Sequence, residues 1–276
     1  MIPVYGWRLV HVPSAFISVG LGLLVFCVLH TPEEKRIYVP GKDNTALPLK
    51  ITDCKTSSQK PFMEMWNLPC VREISFTVLC LKIIRYVMYM WLPMYLVHYL
   101  QYSVGTAGMF STIFDIGAAI GSPMIGLVLD KKFKNNSLLG IWMFITASSI
   151  SIALFAMTAH LGWMHNAIFM FIAGATNGGC DSLLAGSVTM KIGEANGMNA
   201  GAQVTGLVNG FGTFGAVAEG PVVGYLSDRY GWPAMLIMMI VLSACSSLTV
   251  LRAMFLQRRL DKSTISDTES KVPLIT

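Results

Sequence analysis

Seven stretches of the chain are apolar over bilayer-spanning lengths, at about residues 9–29, 74–100, 106–129, 138–159, 164–190, 200–227 and 232–256. About twenty consecutive apolar residues cross a hydrocarbon core ~30 Å thick. Backbone N–H and C=O groups find no water there, so each segment must close its hydrogen bonds internally, as a helix. The fold class predicted is an all-α polytopic membrane protein with about seven transmembrane helices. The first stretch follows Arg8 as a secretory signal would. It is too long for a signal core, however, and Thr31-Pro-Glu-Glu-Lys-Arg36 after it offers no small-residue cleavage site.

Polar stretches divide these helices. Residues 31–73, rich in Lys, Pro, Thr and Ser, are predicted as a mobile cytosolic linker with a short amphipathic piece at 62–68. Residues 258–276 are predicted as a disordered cytosolic tail. The organisation expected is one helix (1–30), the linker (31–73), a six-helix unit (74–257) and the tail (258–276).

Hydrophobic residues make up 54% of the 276 and charged residues only 13%, which excludes an ordinary soluble domain. The net charge of +5 would fit a nucleic-acid binder, but its distribution argues otherwise. If the first helix runs inward, sixteen of the twenty Lys and Arg residues fall on the inner side and only Arg8 and Arg229 on the outer. That is the positive-inside pattern, and it places the linker and tail in the cytosol. The sequon Asn135-Asn136-Ser137, beside Lys131, Lys132 and Lys134, then lies where glycosylation does not occur. The six cysteines are scattered, without C-x-x-C spacing or paired histidines, so neither metal nor cofactor is predicted. With no nucleophile and base pair and no phosphate loop, an enzyme is not expected.

The remaining two cations define the candidate chemistry. Lys82 and Arg85 sit inside Leu79-Cys-Leu-Lys82-Ile-Ile-Arg85-Tyr-Val-Met-Tyr89-Met-Trp91-Leu-Pro93, a run without an acid. An arginine at mid-membrane depth costs roughly 2.5–3.5 kcal/mol on insertion scales, so such residues usually face a wet cavity and serve an ion or substrate. At i, i+3 spacing the two share one helical face and repel. An anion between them relieves the repulsion, with Arg85 gripping oxyanion oxygens bidentately and Lys82 acting as a point charge. The structural alternatives are that Lys82 snorkels toward the nearer interface and that Arg85 pairs with an acid of another helix. Asp181 and Glu219, the acids within the fifth and sixth apolar stretches, are the counter-ions available. Asp181 follows Asn177-Gly-Gly, where a helix can open. Tyr86, Tyr89 and Asn209 are candidate lining residues, as is Asp115; His98, His160 and His165 are expected at the surface.

Two repeats run through the chain. Pro123-x-x-Gly126-x-x-x-Asp130-Lys131 and Pro221-x-x-Gly224-x-x-x-Asp228-Arg229 share one pattern, each closing a glycine-rich helix on opposite sides, the mark of inverted three-helix repeats. Asp130 and Lys131 are expected to join an ion-pair network that steadies one gate. Tyr5-Gly6-Trp7-Arg8 is echoed by Tyr230-Gly231-Trp232-Pro233, each before an apolar span. The last helix therefore pairs with the first, as if the first were helix six of twelve. Gly117-x-x-x-Gly121 and Gly206-x-x-x-Gly210 let helices approach closely.

Taken together, these residues resemble the carboxyl-terminal half of the major facilitator superfamily, in its organophosphate:phosphate antiporter branch. Gly126-x-x-x-Asp130-Lys131-Lys132 is similar to the signature loop between helices eight and nine, though Phe133 stands where a glycine is usual. Arg85-Tyr86 with Trp91-Leu92-Pro93 resembles the seventh helix of glycerol-3-phosphate and hexose-phosphate antiporters, where the arginine clamps phosphate. Residues 204–216 are similar to the eleventh helix of eukaryotic sugar phosphate exchangers. The resemblance implies helices six to twelve of a twelve-helix fold, and exchange of a sugar phosphate or glycerol 3-phosphate for inorganic phosphate. It also implies an endomembrane such as the endoplasmic reticulum, and partners in an amino-terminal half or a second copy. The phosphate site of that family lies between two halves, so the chain as given is expected to be incomplete and to transport poorly by itself; two other functions remain open, a truncated non-transporting sensor or partner subunit and a carrier of another organic anion.

Overall fold

A computed structural model describes residues 8–28, 62–134, 136–159, 162–195 and 200–271, with side chains from 12 to 260 within those ranges except at Ala195. Residues 31–61 of the linker expected at 31–73, Tyr5-Gly6-Trp7, Asn135 and His160 lie outside the described residues. The chain divides into two compact units, residues 1–59 and 60–276. The first contributes helix α1 (Arg8–Val28), with Pro13 inside it. It is apolar around its whole circumference, as suits a helix in apolar surroundings.

The second unit begins with α2 (Phe62–Trp66), the short piece expected at 62–68, followed by α3 (Val71–Met90) and α4 (Leu92–His98). α3 and α4 occupy the span predicted at 74–100 but meet at a 44° bend. Pro93 lies in the first turn of α4, where its missing N–H is tolerated and its ring stops α3 from continuing. Ser103 then caps α5 (Val104–Lys132) by accepting a hydrogen bond from the Thr106 backbone N–H at 3.2 Å. α6 (Ser137–Thr158) and α7 (Trp163–Leu183) follow. A π turn at Leu184–Val188 leads into α8 (Thr189–Ala195), then α9 (Gly201–Tyr230) and α10 (Trp232–Lys271).

α5, α6, the joined α7–α8 stretch and α10 are each long and apolar enough to cross a bilayer, as is the bent α3–α4 pair taken as one span. α9 has the length, at 30 residues, but its seven glycines lower its hydropathy. The described residues are thus helical throughout their regular structure, in the order the apolar pattern predicts.

Two expectations are corrected. Residues 258–271, expected to be disordered, continue α10 without a break. No Gly or Pro interrupts the sequence between Pro233 and Pro273, so no breaker stops the helix that the apolar span has started. Asn177-Gly178-Gly179, expected to open the helix, stays within α7. Both glycines are used for packing: a Cβ on Gly178 would lie 2.5 Å from that of Ala118, and one on Gly179 2.7 Å from the Ile125 Cδ1. The irregular turn comes a few residues later, at Leu184.

α5 and α7 run side by side with their backbones almost touching. Cβ atoms added at Gly117, Gly121 and Gly174 would collide with backbone of Phe171, Ala175 and Phe114. α3 lies at the centre, against α7, α9 and α10. α6 is packed between α7 and α10, cross-linked to α10 by hydroxyls: Thr146 to Ser247 at 3.0 Å and Ser149 to Ser243 at 2.6 Å.

Burial is organised in two apolar clusters. One gathers Val78 and Leu81 with Ile125, Ile141, Val208 and Val250. The other gathers Ile84 and Met88 with Phe110, Phe114, Phe155 and Met239. On α3 the clusters change over between Leu81 and Ile84, and Lys82 and Arg85 emerge there.

Candidate functional site

The polar residues of α3, α7 and α9 converge at this changeover. α9 runs beside α3 in the same direction, with Gly212 against Val78 and Lys82, Gly215 against Leu79 and Gly224 against Trp91. Glycine at 212 is what lets the Lys82 stem lie along α9: an added Cβ would stand 3.2 Å from the Lys82 Cδ. The Lys82 ammonium donates to both the side-chain and the backbone oxygen of Asn209, the latter at 3.3 Å, and to the Thr213 hydroxyl at 3.4 Å. Lys82 therefore points inward to α9, and snorkelling toward the interface does not occur.

Arg85 meets α7. Its Nη1 lies 2.9 Å from Oδ2 of Asp181, with side chains 20% and 5% exposed. The guanidinium lies close against the α7 backbone, where a Cβ at Gly178 would be 3.0 Å from Nη2. Of the two counter-ions available in the sequence, Asp181 is the one that meets Arg85. Each cation has its own partner within the bundle, a carboxylate for Arg85 and neutral oxygens for Lys82. The pairing is incomplete, since Arg85 Nε and Asp181 Oδ1 are both buried without a hydrogen-bond partner.

All six residues singled out as substrate-binding, Lys82, Arg85, Tyr86, Tyr89, Asp181 and Asn209, line one cleft of about 410 Å³. Tyr89 is held edge-on between Tyr86 and Phe114, at centroid distances of 6.1 and 6.0 Å. Ser182, Ala185 and Gly186 complete the lining and were missed from the sequence. With Asp181 they fall at i, i+1, i+4 and i+5, one face of a helix, which was the signal available. A second cleft, of about 480 Å³, lies at the α4–α5 turn beside Trp163. It has no charged lining residue and is remote from this chemistry.

The residues assigned to gating lie elsewhere. Asp130 and Lys131 at the end of α5 and Asp228 and Arg229 at the end of α9 are exposed. None of the four makes an ion pair with another described residue. The two copies of the motif do take the same station, with each Asp two residues before its helix ends. Gly126 faces Leu183 and Gly224 faces Trp91, and a Cβ on either glycine would make ordinary contact with those side chains, at 3.8 and 3.5 Å. Gly231, with φ +80°, makes the turn between α9 and α10 in a backbone region that favours glycine. Glu219 is buried and has Oε1 unpartnered; it neighbours Trp91 and is not the counter-ion of Arg85. Asp115 is exposed and lies near Tyr89.

The sequence model of the Major Facilitator Superfamily matches residues 1–218. The chain belongs to that superfamily. Within it, the chain is 31% identical over 188 residues to "Putative glycerol-3-phosphate transporter 5" of Arabidopsis thaliana, covering 65% of this chain and 38% of the relative. It is 27% identical over 263 residues to "Putative glycerol-3-phosphate transporter 1" of the same plant, covering 85% and 49%. A glucose-6-phosphate exchanger of Homo sapiens is 27% identical over 190 residues, covering 67% and 35%. The chain spans at most about half the length of these relatives. As a superfamily member it is an integral multi-pass membrane protein.

Proposed function

We propose that this chain serves secondary transport of organic phosphates, exchanging a sugar phosphate or glycerol 3-phosphate for inorganic phosphate across an endomembrane. Lys82 and Arg85 hold the phosphoryl group. The observation that carries this reading is the presence of two unlike cations on one face of α3, opening onto a single cleft at mid-bundle. Arg85 supplies the planar fork that fits two phosphate oxygens, and Lys82 a mobile charge for a third. Tyr86 and Tyr89 are hydroxyl donors at the same wall. The relatives' names, which speak of glycerol 3-phosphate and glucose 6-phosphate, support the substrate class.

The experiment is exchange of labelled inorganic phosphate against glycerol 3-phosphate in proteoliposomes holding the chain, with equilibrium phosphate binding in nanodiscs alongside. Arg85→Lys keeps the charge and removes the fork, and should lower both by about tenfold or more, a difference of roughly 1.4 kcal/mol. An unchanged rate and affinity would remove Arg85 from the site. A second reading, a sensor or partner subunit that binds the anion without moving it, is favoured by the Arg85–Asp181 pair, which neutralises the arginine without any ligand. It gives binding without exchange.

A further inference from the structure

Glu219 is a buried acid that the cleft at Lys82 and Arg85 leaves unused. It is 6% exposed, and its Oε1 is buried without a hydrogen-bond partner. It lies eleven residues before the end of α9, about 17 Å at the helical rise, and ten residues, about 15 Å, beyond Asn209. It is therefore deep in the bundle and separate from the anion cleft. Among the described residues its polar neighbour is the Trp91 indole, whose N–H is directed to the carboxyl, and no cation stands against it. The other titratable groups around it are engaged elsewhere. On α3, Lys82 reaches Asn209 and Thr213, Arg85 meets Asp181 on α7, and Tyr86 and Tyr89 pack on one another at the cleft. On α4, Tyr95 and His98 pack against Trp232. α10 offers Cys245 alone between Trp232 and Leu251, and Tyr225 and Asp228 of α9 are exposed. α8, with Lys191 and Glu194, meets the start of α9, where Gly193 lies against Gly201, eighteen residues before Glu219.

We propose that Glu219 is a proton-binding site whose occupancy is read by Trp91 at the α3–α4 bend. An ionised carboxylate held in apolar surroundings by one neutral donor is costly, and a proton removes that cost with a single bond. A metal cation needs several oxygens around it, and the described residues hold no group of three acids, histidines or cysteines to supply them. Trp91 stands where the two helices meet. Its backbone N–H donates to the Val87 carbonyl at the end of α3, and its carbonyl accepts from the Tyr95 N–H at the start of α4, at 2.9 Å each. Its ring lies along α9 at Gly224. Ionised Glu219 draws the indole N–H toward α9, since a bond to a charged acceptor is about twice as strong as one to a neutral acceptor. Protonated Glu219 relaxes that hold. α9 itself is weakened just past the site, because Pro221 has no N–H to return to the Val217 carbonyl. The proton thus acts where α3 turns into α4 and where α9 has lost a backbone bond.

Infrared difference spectra of the full chain in nanodiscs, titrated between about pH 5 and 9, test this. The carbonyl band of a protonated carboxyl should appear as pH falls, vanish in Glu219→Gln and persist in Asp181→Asn. Trp91 emission, taken as the difference between the unaltered chain and Trp91→Phe, should change with the same midpoint and stay flat in Glu219→Gln. Trp91→Phe removes the donor that favours the charged form, so it should tighten proton binding about tenfold, one pH unit. A Glu219 that stays ionised, or stays protonated, across the whole range overturns the proposal. So does a Trp91 response that persists in Glu219→Gln, or one that follows sodium at fixed pH. Should Glu219→Gln not fold, Trp91→Phe decides, and a midpoint that loss of the indole leaves in place overturns the proposal.

Discussion

Arg85 shows how far a single position can be read in advance. A guanidinium within an apolar run is costly enough that a cavity and a counter-charge follow from its presence, and both are found. Which acid supplies the charge does not follow. Asp181 and Glu219 are each one carboxylate in an apolar helix, and the choice between them depends on the face that α7 presents to α3. That face is set by close contacts at Gly174, Gly178 and Gly179, whose partners are distant in sequence. The glycines differ sharply in consequence. Gly174→Ala drives a methyl group into the Phe114 carbonyl oxygen and should cost about 1–3 kcal/mol, as overpacking does. Gly210→Ala meets open space and should be close to neutral or slightly favourable in helix propensity. Thermal unfolding midpoints of the two variants in one detergent check the contrast.

Among the elements, the seven apolar stretches announce their helices because lipid leaves the backbone no other choice. The tail carries no such signal. Its helix from 258 to 271 extends the apolar span before it and meets no breaker, which polar composition obscures. The π turn is also invisible in Leu184-Ala-Gly-Ser-Val188, since it arises from the register of α7 and α8 against their neighbours rather than from residue type. Hydroxyl pairs between α6 and α10 are another product of register: Ser149 and Ser243 approach to 2.6 Å, each from an otherwise ordinary apolar helix. Between hydrocarbon-embedded helices such bonds average about 0.6 kcal/mol. A double-mutant cycle of Ser149→Ala and Ser243→Ala should return a coupling of about that size, and a coupling near zero would mean the hydroxyls find equal partners within their own helices.

For the molecule as a whole, the charge distribution predicts orientation where helix packing does not. Lys131, Lys132 and Lys134 cluster at the end of α5, and Arg229 stands alone at the end of α9. Single cysteines at Lys134 and Arg229 in sealed vesicles should react with an impermeant maleimide from opposite sides, Lys134→Cys from the cytosolic one. Labelling of both from the same side would refute the inverted placement of the two repeats.

The division of the interior into two apolar clusters bears on how the bundle yields under stress. Their seam on α3 is bridged by polar side chains, whose contacts with one another are few and, at Arg85 and Asp181, unfinished. The bundle is therefore least cohesive across its waist, and an anion seated there would act as a rivet, joining two blocks that otherwise have some freedom to loosen independently.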